Sequence, residues 1–168
     1  MPQNRTFEVT RIGRLQRGKD RSLAFLTSRE DLAIDAQSVY QGLLPEKQQL
    51  VRDRFDYWLQ RGVHDPYFHG WNDPDYRNCF VFKWKENRQH QRLYGFLIHP
   101  CPETSPRLEV CILVSHAQKN TEYTDPAELN GARALGNRID VVRAVKKTYP
   151  ERRKGQNYDP NTLDRRQR

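Results

Sequence analysis

The chain has 168 residues, enough for one domain with extensions, and its 29 Lys and Arg against 21 Asp and Glu leave a formal net charge of +8, a balance that favours polyanions such as nucleic acid over neutral or basic partners. Its three cysteines, Cys79, Cys101 and Cys111, include no C-x-x-C pair, which argues against a disulfide framework and for a reducing compartment. No stretch reaches the ~20 apolar residues that a bilayer span needs, and Met1 to Arg5 lead into no signal-like apolar run, so a cytoplasmic protein with no membrane partner is expected.

Phe7 to Ile12 alternates apolar and polar residues, the period of a half-buried strand, and Ser22 to Leu26 predicts a second short strand after the turn-like Gly18-Lys19-Asp20. Thr27-Ser28-Arg29-Glu30 has the form of a capping box, which predicts a helix from there to about Leu43. Pro45 suits the first turn of a next helix and Gly62 its end, with Leu50, Val51, Phe55, Trp58 and Leu59 recurring at three and four between them. Residues 63–78, with Pro66, Gly70 and Pro74 among aromatic residues, read as an ordered loop. Cys79 to Lys85, Arg92 to Ile98 and Leu108 to Val114 then read as three strands of an antiparallel meander. Asp125 is a good N-cap before Pro126, and Leu129, Ala132, Leu135, Ile139 and Val142 form one apolar helical face reaching about Lys146. The remainder is basic and poor in apolar side chains, as a disordered tail would be.

Cationic side chains recur on the predicted strands. Lys83 and Lys85 lie two apart and so share a face, Arg92 opens the next strand, and His116 and Lys119 follow the third. Such positions converge on one surface of an antiparallel sheet, where Lys and Arg would bind phosphates and Trp84, Tyr94 or Tyr123 would stack on bases. Arg143, Lys146 and Lys147 add cations at the end of the last helix. His64, His69, Asp73, Asp75 and Cys79 match no zinc spacing, so no metal or other cofactor is expected.

Residues 45–147 resemble the RelE/HigB-type toxins of bacterial toxin–antitoxin systems, in particular their phage-derived HigB-like branch. Four pieces carry the resemblance: Leu44-Pro45 with the amphipathic helix ending at Gly62; the strand Phe80-Val81-Phe82-Lys83; Arg92-Leu93-Tyr94-Gly95-Phe96, an arginine-led strand; and Ile112 to Thr121 through Asp125-Pro126, Glu128 and Ala132, like the family's lysine-rich segment before its last helix. The resemblance implies an α+β, RelE/ParE-like fold, a curved antiparallel sheet with helices packed on one side. It divides the chain into an N-terminal strand-and-helix addition (1–44), a core (45–147) and a basic tail (148–168).

It also implies a metal-independent endoribonuclease that cleaves messenger RNA on the ribosome, held in check by a cognate antitoxin protein. In that chemistry the ribose 2′-hydroxyl attacks the adjacent phosphate, which needs a proton acceptor, cations around the phosphorane and a donor to the leaving 5′-oxygen. The resemblance assigns phosphate contacts to Lys83, Arg92 and Lys119; His116 or Tyr123 would assist proton transfer, and Lys85, Trp84, Tyr94, Arg143, Lys146 and Lys147 would bind RNA. Lysine stands at 83 where the family has arginine, Gln118-Lys119 replaces its double lysine, and Tyr149 is the stand-in for its C-terminal catalytic residue. Two other functions fit the same residues: a non-catalytic binding module on this scaffold, and a basic DNA-associated protein whose terminal arms do the binding.

Overall fold

Among the described residues, six strands form one mixed sheet in the order β1-β2-β6-β5-β4-β3. The computed structural model describes residues 6–16 and 18–152. In chain order the elements are β1 (Phe7–Arg11), β2 (Arg21–Ser28), α1 (Ala36–Gly42), α2 (Pro45–Leu59), β3 (Phe68–Gly70), a 3-10 turn at Pro74–Tyr76, β4 (Cys79–Glu86), β5 (Gln89–Ile98), β6 (Glu109–Lys119), α3 (Pro126–Gly136) and α4 (Ile139–Thr148).

β3 to β6 run as an antiparallel meander, one short strand longer than the sequence suggests. β2 lies parallel to β6 and antiparallel to β1, so the sheet is mixed and the expectation of a purely antiparallel sheet is corrected. The parallel pair follows from the crossover through α1 and α2, which returns the chain past the meander. The stretch 1–44, read as an addition to a core of 45–147, supplies two of the six strands, β1 and β2.

Helices cover both faces of the sheet. Val51, Phe55, Trp58 and Leu59 of α2, with Ala36 and Tyr40 of α1, pack on Leu23, Phe25, Phe80, Phe82, Trp84, Leu93, Cys111 and Leu113. Leu129 and Ala132 of α3, with Val141 and Val145 of α4, pack on Ala24, Leu26, Val81, Tyr94, Phe96, Val110, Ile112 and Val114. The expectation of helices on one side only is therefore corrected. The physical cause is visible in the strands themselves: Leu93 to Phe96 and Val110 to Val114 are buried without a break, the pattern of strands covered on both faces. The α2 side is dense in aromatic contacts, with Phe55 edge-on to Phe82 at 4.8 Å between centroids. Burying each such side chain contributes roughly 1.5–3 kcal/mol.

Two helix predictions change. The stretch from Thr27 is not helical: β2 continues to Ser28 and the helix begins only at Ala36. Ser28 Oγ donates to Glu30 Oε2 at 3.1 Å and accepts from the Glu30 amide at 3.3 Å, so the capping-box residues close a turn after the strand instead of starting a helix. The last predicted helix is two. Asp125 accepts from the Ala127 amide with Pro126 at the first position, as its sequence suggests, but the helix stops at Gly136 and restarts at Ile139. Tyr149, the stand-in for a catalytic residue, is fully buried with its hydroxyl 2.8 Å from Ser22 Oγ; it anchors the C-terminal end of α4 and is closed to substrate. The tail beyond Arg152 lies outside the described residues. Among them, no helix is long and apolar enough to cross a membrane.

Candidate functional site

Strand register decides which predicted site residues meet. Lys83 pairs with Arg92, and Arg92 with Ala117. Lys85 pairs with His90, and His90 with Lys119. Alternation puts Lys83, Lys85, Arg92 and Lys119 on one face, the face that carries α3. A bulge sets this up. Tyr94 pairs with Ser115 and Gly95 with Leu113, which leaves Val114 as the extra residue in β6 and turns Lys119, not Gln118, toward α3.

His116 is on the opposite face. It pairs with Leu93, its ring lies 6.1 Å from that of Trp84, and its Nε2 lies 2.6 Å from Gln91 Oε1. The amide of His116 donates to Asp35 Oδ1 at 2.9 Å. Burial lowers its pKa, against Asp35 and Glu86. The sheet itself separates His116 from Lys83 and Arg92, so it cannot share a phosphate with them. Trp84 and Tyr94, expected as stacking platforms, are 2% and 1% exposed. Both are core residues, Trp84 against α2 and Tyr94 toward α3, and neither offers a face to a base.

Arg92 is 3% exposed. Its Nη1 donates to Thr124 Oγ1 at 2.7 Å and to Tyr94 Oη at 3.2 Å, and its Nη2 donates to the Glu122 carbonyl. Lys119 Nζ donates to the Tyr123 carbonyl at 3.0 Å and meets Glu128 at 3.0 Å. Two of the predicted phosphate cations thus fasten the 120–125 segment, a strap between β6 and α3, to the sheet. Tyr123, in that strap, is 70% exposed. Tyr94 is pushed up to about 12, first by burial and then by its bond to Glu128, so it stays a neutral phenol.

Lys83 differs from both. It stands directly across from Arg92, an arrangement of like charges that costs stability. Among the described residues its ammonium has no hydrogen bond and no ion pair. Half-burial lowers its pKa, Arg92 adds to the lowering, and Asp65 and Glu122 oppose it. Lys85 is exposed beside it.

A residue that the sequence did not assign to the site also lies here. His69 of β3 pairs with Val81, which puts it on the same face as Lys83 and Tyr94. Its Nδ1 donates to the Gly70 carbonyl at 2.8 Å, and its ring meets Trp71 edge-on at 4.7 Å. Burial lowers its pKa. The signal that could have found it is the alternation Phe68-His69 in the aromatic stretch, which marks a short strand with His69 turned away from the buried Phe68.

Arg143, Lys146 and Lys147 are exposed on α4, which packs over β1. β1 and β4 are four strand spacings apart, roughly 19 Å at about 4.8 Å each. These cations form a second basic surface, separate from Lys83. Among the described residues no cluster of three or more His, Cys, Asp or Glu side chains is arranged to hold a metal ion.

No protein-family model, no curated protein and no solved structure matches this chain.

Proposed function

We propose that the protein is a metal-independent endoribonuclease of the RelE/HigB kind, which seats a messenger-RNA phosphate on the α3 face of its sheet and promotes 2′-hydroxyl attack on it. The observation that carries this reading is Lys83: a half-buried ammonium that forms no ion pair among the described residues, with only Asp65 and Glu122 acting on it from beyond contact, directly across from a second cation, on a strongly basic chain. A buried cation left in that state costs stability unless an anion completes it. The order of elements from β2 to α3, strand, two helices, meander, helix, also supports it, with α4 as a further helix after it.

In this reading Lys83 neutralises charge building on the phosphorane and Lys85 holds a flanking phosphate. Arg92 and Lys119 act through the strap, by holding residues 120–125 against the sheet. RNA presented by the ribosome is the substrate, and an antitoxin protein is the expected regulator. The test is to incubate the purified protein with ribosomes programmed with a defined messenger and to map the new RNA ends. The proposal expects 2′,3′-cyclic phosphate on the upstream fragment and a 5′-hydroxyl on the downstream one; intact messenger, with RNA still bound, would reject it.

That rejecting outcome is what the second reading expects. A non-catalytic binding module is favoured by one observation, the use of the Arg92 guanidinium within the fold itself. In that case Lys83 contributes affinity alone.

A further inference from the structure

We infer that His69 is the catalytic base of this site, the group that takes the proton from the attacking 2′-hydroxyl. The inference rests on the endoribonuclease reading and identifies a residue that neither the family resemblance nor the sequence assigned. Three features of the geometry lead to it.

The first is placement. His69 pairs with Val81, two residues before Lys83 on the same strand, and both side chains point toward the α3 face. Diagonal neighbours in a sheet lie about 7–8 Å apart. That gap admits a phosphate against Lys83 with the neighbouring ribose hydroxyl at the imidazole. His116 has no such access, because the sheet intervenes.

The second is tautomer. The Nδ1–H of His69 donates to the Gly70 carbonyl, so the neutral ring presents Nε2 as its acceptor. Fixing one ring nitrogen in order to define the role of the other is how an imidazole is set up for proton transfer. The edge-on contact with Trp71, whose ring in turn lies 6.5 Å from that of Tyr94, holds the ring plane.

The third is surroundings. The charged groups facing His69 are Asp65 from the preceding loop, Lys83 from β4 and Arg92 from β5. The two cations and burial disfavour the imidazolium, while Asp65 and the Gly70 bond favour it. The outcome is a ring that is neutral near pH 7 and ready to accept.

The step balances without a further reactant. The 2′-hydroxyl proton passes to His69 Nε2 as the 2′-oxygen–phosphorus bond forms. The bond from phosphorus to the 5′-oxygen breaks, its electron pair leaves on that oxygen, and the Lys83 ammonium supplies the proton. The products are a 2′,3′-cyclic phosphate and a 5′-hydroxyl, and solvent returns both side chains to their starting states.

The test is single-turnover cleavage of a defined messenger on programmed ribosomes, from pH 5 to 9, for the full chain and for His69→Gln, with His116→Gln as the opposite-face control. RNA affinity and melting temperature are measured for each. The inference expects His69→Gln to cleave about 10²–10⁴-fold more slowly, with unchanged affinity and loss of the acidic limb of the profile. It expects His116→Gln to keep that limb. Cleavage by His69→Gln at the parent rate with the acidic limb intact would overturn the role of His69 and leave the endoribonuclease reading standing. A parent protein that yields no cyclic phosphate ends would overturn both. If His69→Gln melts well below the parent, His69→Asn, whose shorter amide can still donate to the Gly70 carbonyl, replaces it under the same criteria.

Discussion

Replacing Arg92 by methionine separates a residue that holds the fold from one that meets substrate. The guanidinium is 3% exposed and makes three hydrogen bonds, to Tyr94, Thr124 and Glu122. Hydrogen bonds from charged groups are worth about 1.5–3 kcal/mol each, but their sum overstates the loss. Thr124 and the Glu122 carbonyl lie on the rim and regain water when the strap loosens. The variant also relieves a buried Nε that lacks a partner and the repulsion against Lys83. The net cost is then about 2–4 kcal/mol, which for a chain of this size lowers the melting temperature by roughly 4–16 °C. Urea denaturation followed by tryptophan fluorescence reads it as a lower midpoint with an unchanged slope. Hydrogen exchange should rise first in residues 120–125. Lys83→Met, by contrast, breaks no hydrogen bond and removes a like-charge contact, so its stability should stay within about 0.5 kcal/mol of the parent. The reasoning fails if Arg92→Met is as stable as the parent with an equally protected strap; Arg92 would then be free for substrate, as the sequence alone suggests.

Other consequences are direct. Gly95 sits at the bulge, where an added Cβ would stand 2.2 Å from the Ile112 carbonyl oxygen; Gly95→Ala should cost at least about 3 kcal/mol, above the usual range for overpacking because the obstacle is backbone, and a variant that melts with the parent would show that the bulge gives way. His69 and His116 both have lowered pKa values, chiefly through burial, so the unfolded chain binds their protons first as pH falls. Their contribution is full above the ordinary histidine value and is lost on acidification below it. The melting temperature should therefore drop between about pH 7 and pH 5, and drop less in a His69→Gln, His116→Gln double variant; equal slopes for the two proteins would refute the assignment.

Much of the fold can be read from the residues, for identifiable reasons. Alternation marks β1, three-four spacing with Pro45 marks α2, and Asp125-Pro126 marks the start of α3, because each is a local signal. The capping box after Thr27 misleads because β2 pairs with β1 through Thr27 and Ser28, and strand pairing outweighs a local turn. The two-sided covering was present in the unbroken apolar runs of β5 and β6, which a sheet with one solvent face does not require. For the site, the pairing of Lys83 with Arg92 depends on a two-residue turn at Asn87-Arg88, with Glu86 paired to Gln89; the strands read as 79–85 and 92–98 leave a six-residue connection, which would set Lys85 across from Arg92. The separation of His116 from Lys119 was open to strand alternation: β6 runs on to Lys119, and residues three apart in a regular strand face opposite ways. The burial of Arg92 could not be read, because it depends on where the strap of residues 120–125 folds back, a contact more than 25 residues away in sequence.

The most direct measurement on Lys83 is the salt dependence of RNA binding. Fluorescence anisotropy with a labelled single-stranded RNA, across a range of potassium chloride concentrations, gives the slope of log affinity against log salt, and each phosphate neutralised contributes about 0.7 to its magnitude. The parent should show a steep slope, and Lys83→Met a slope shallower by about 0.7 at unchanged melting temperature. Identical slopes for the two proteins would mean that no phosphate rests on Lys83, and the site proposed on this face of the sheet would be wrong.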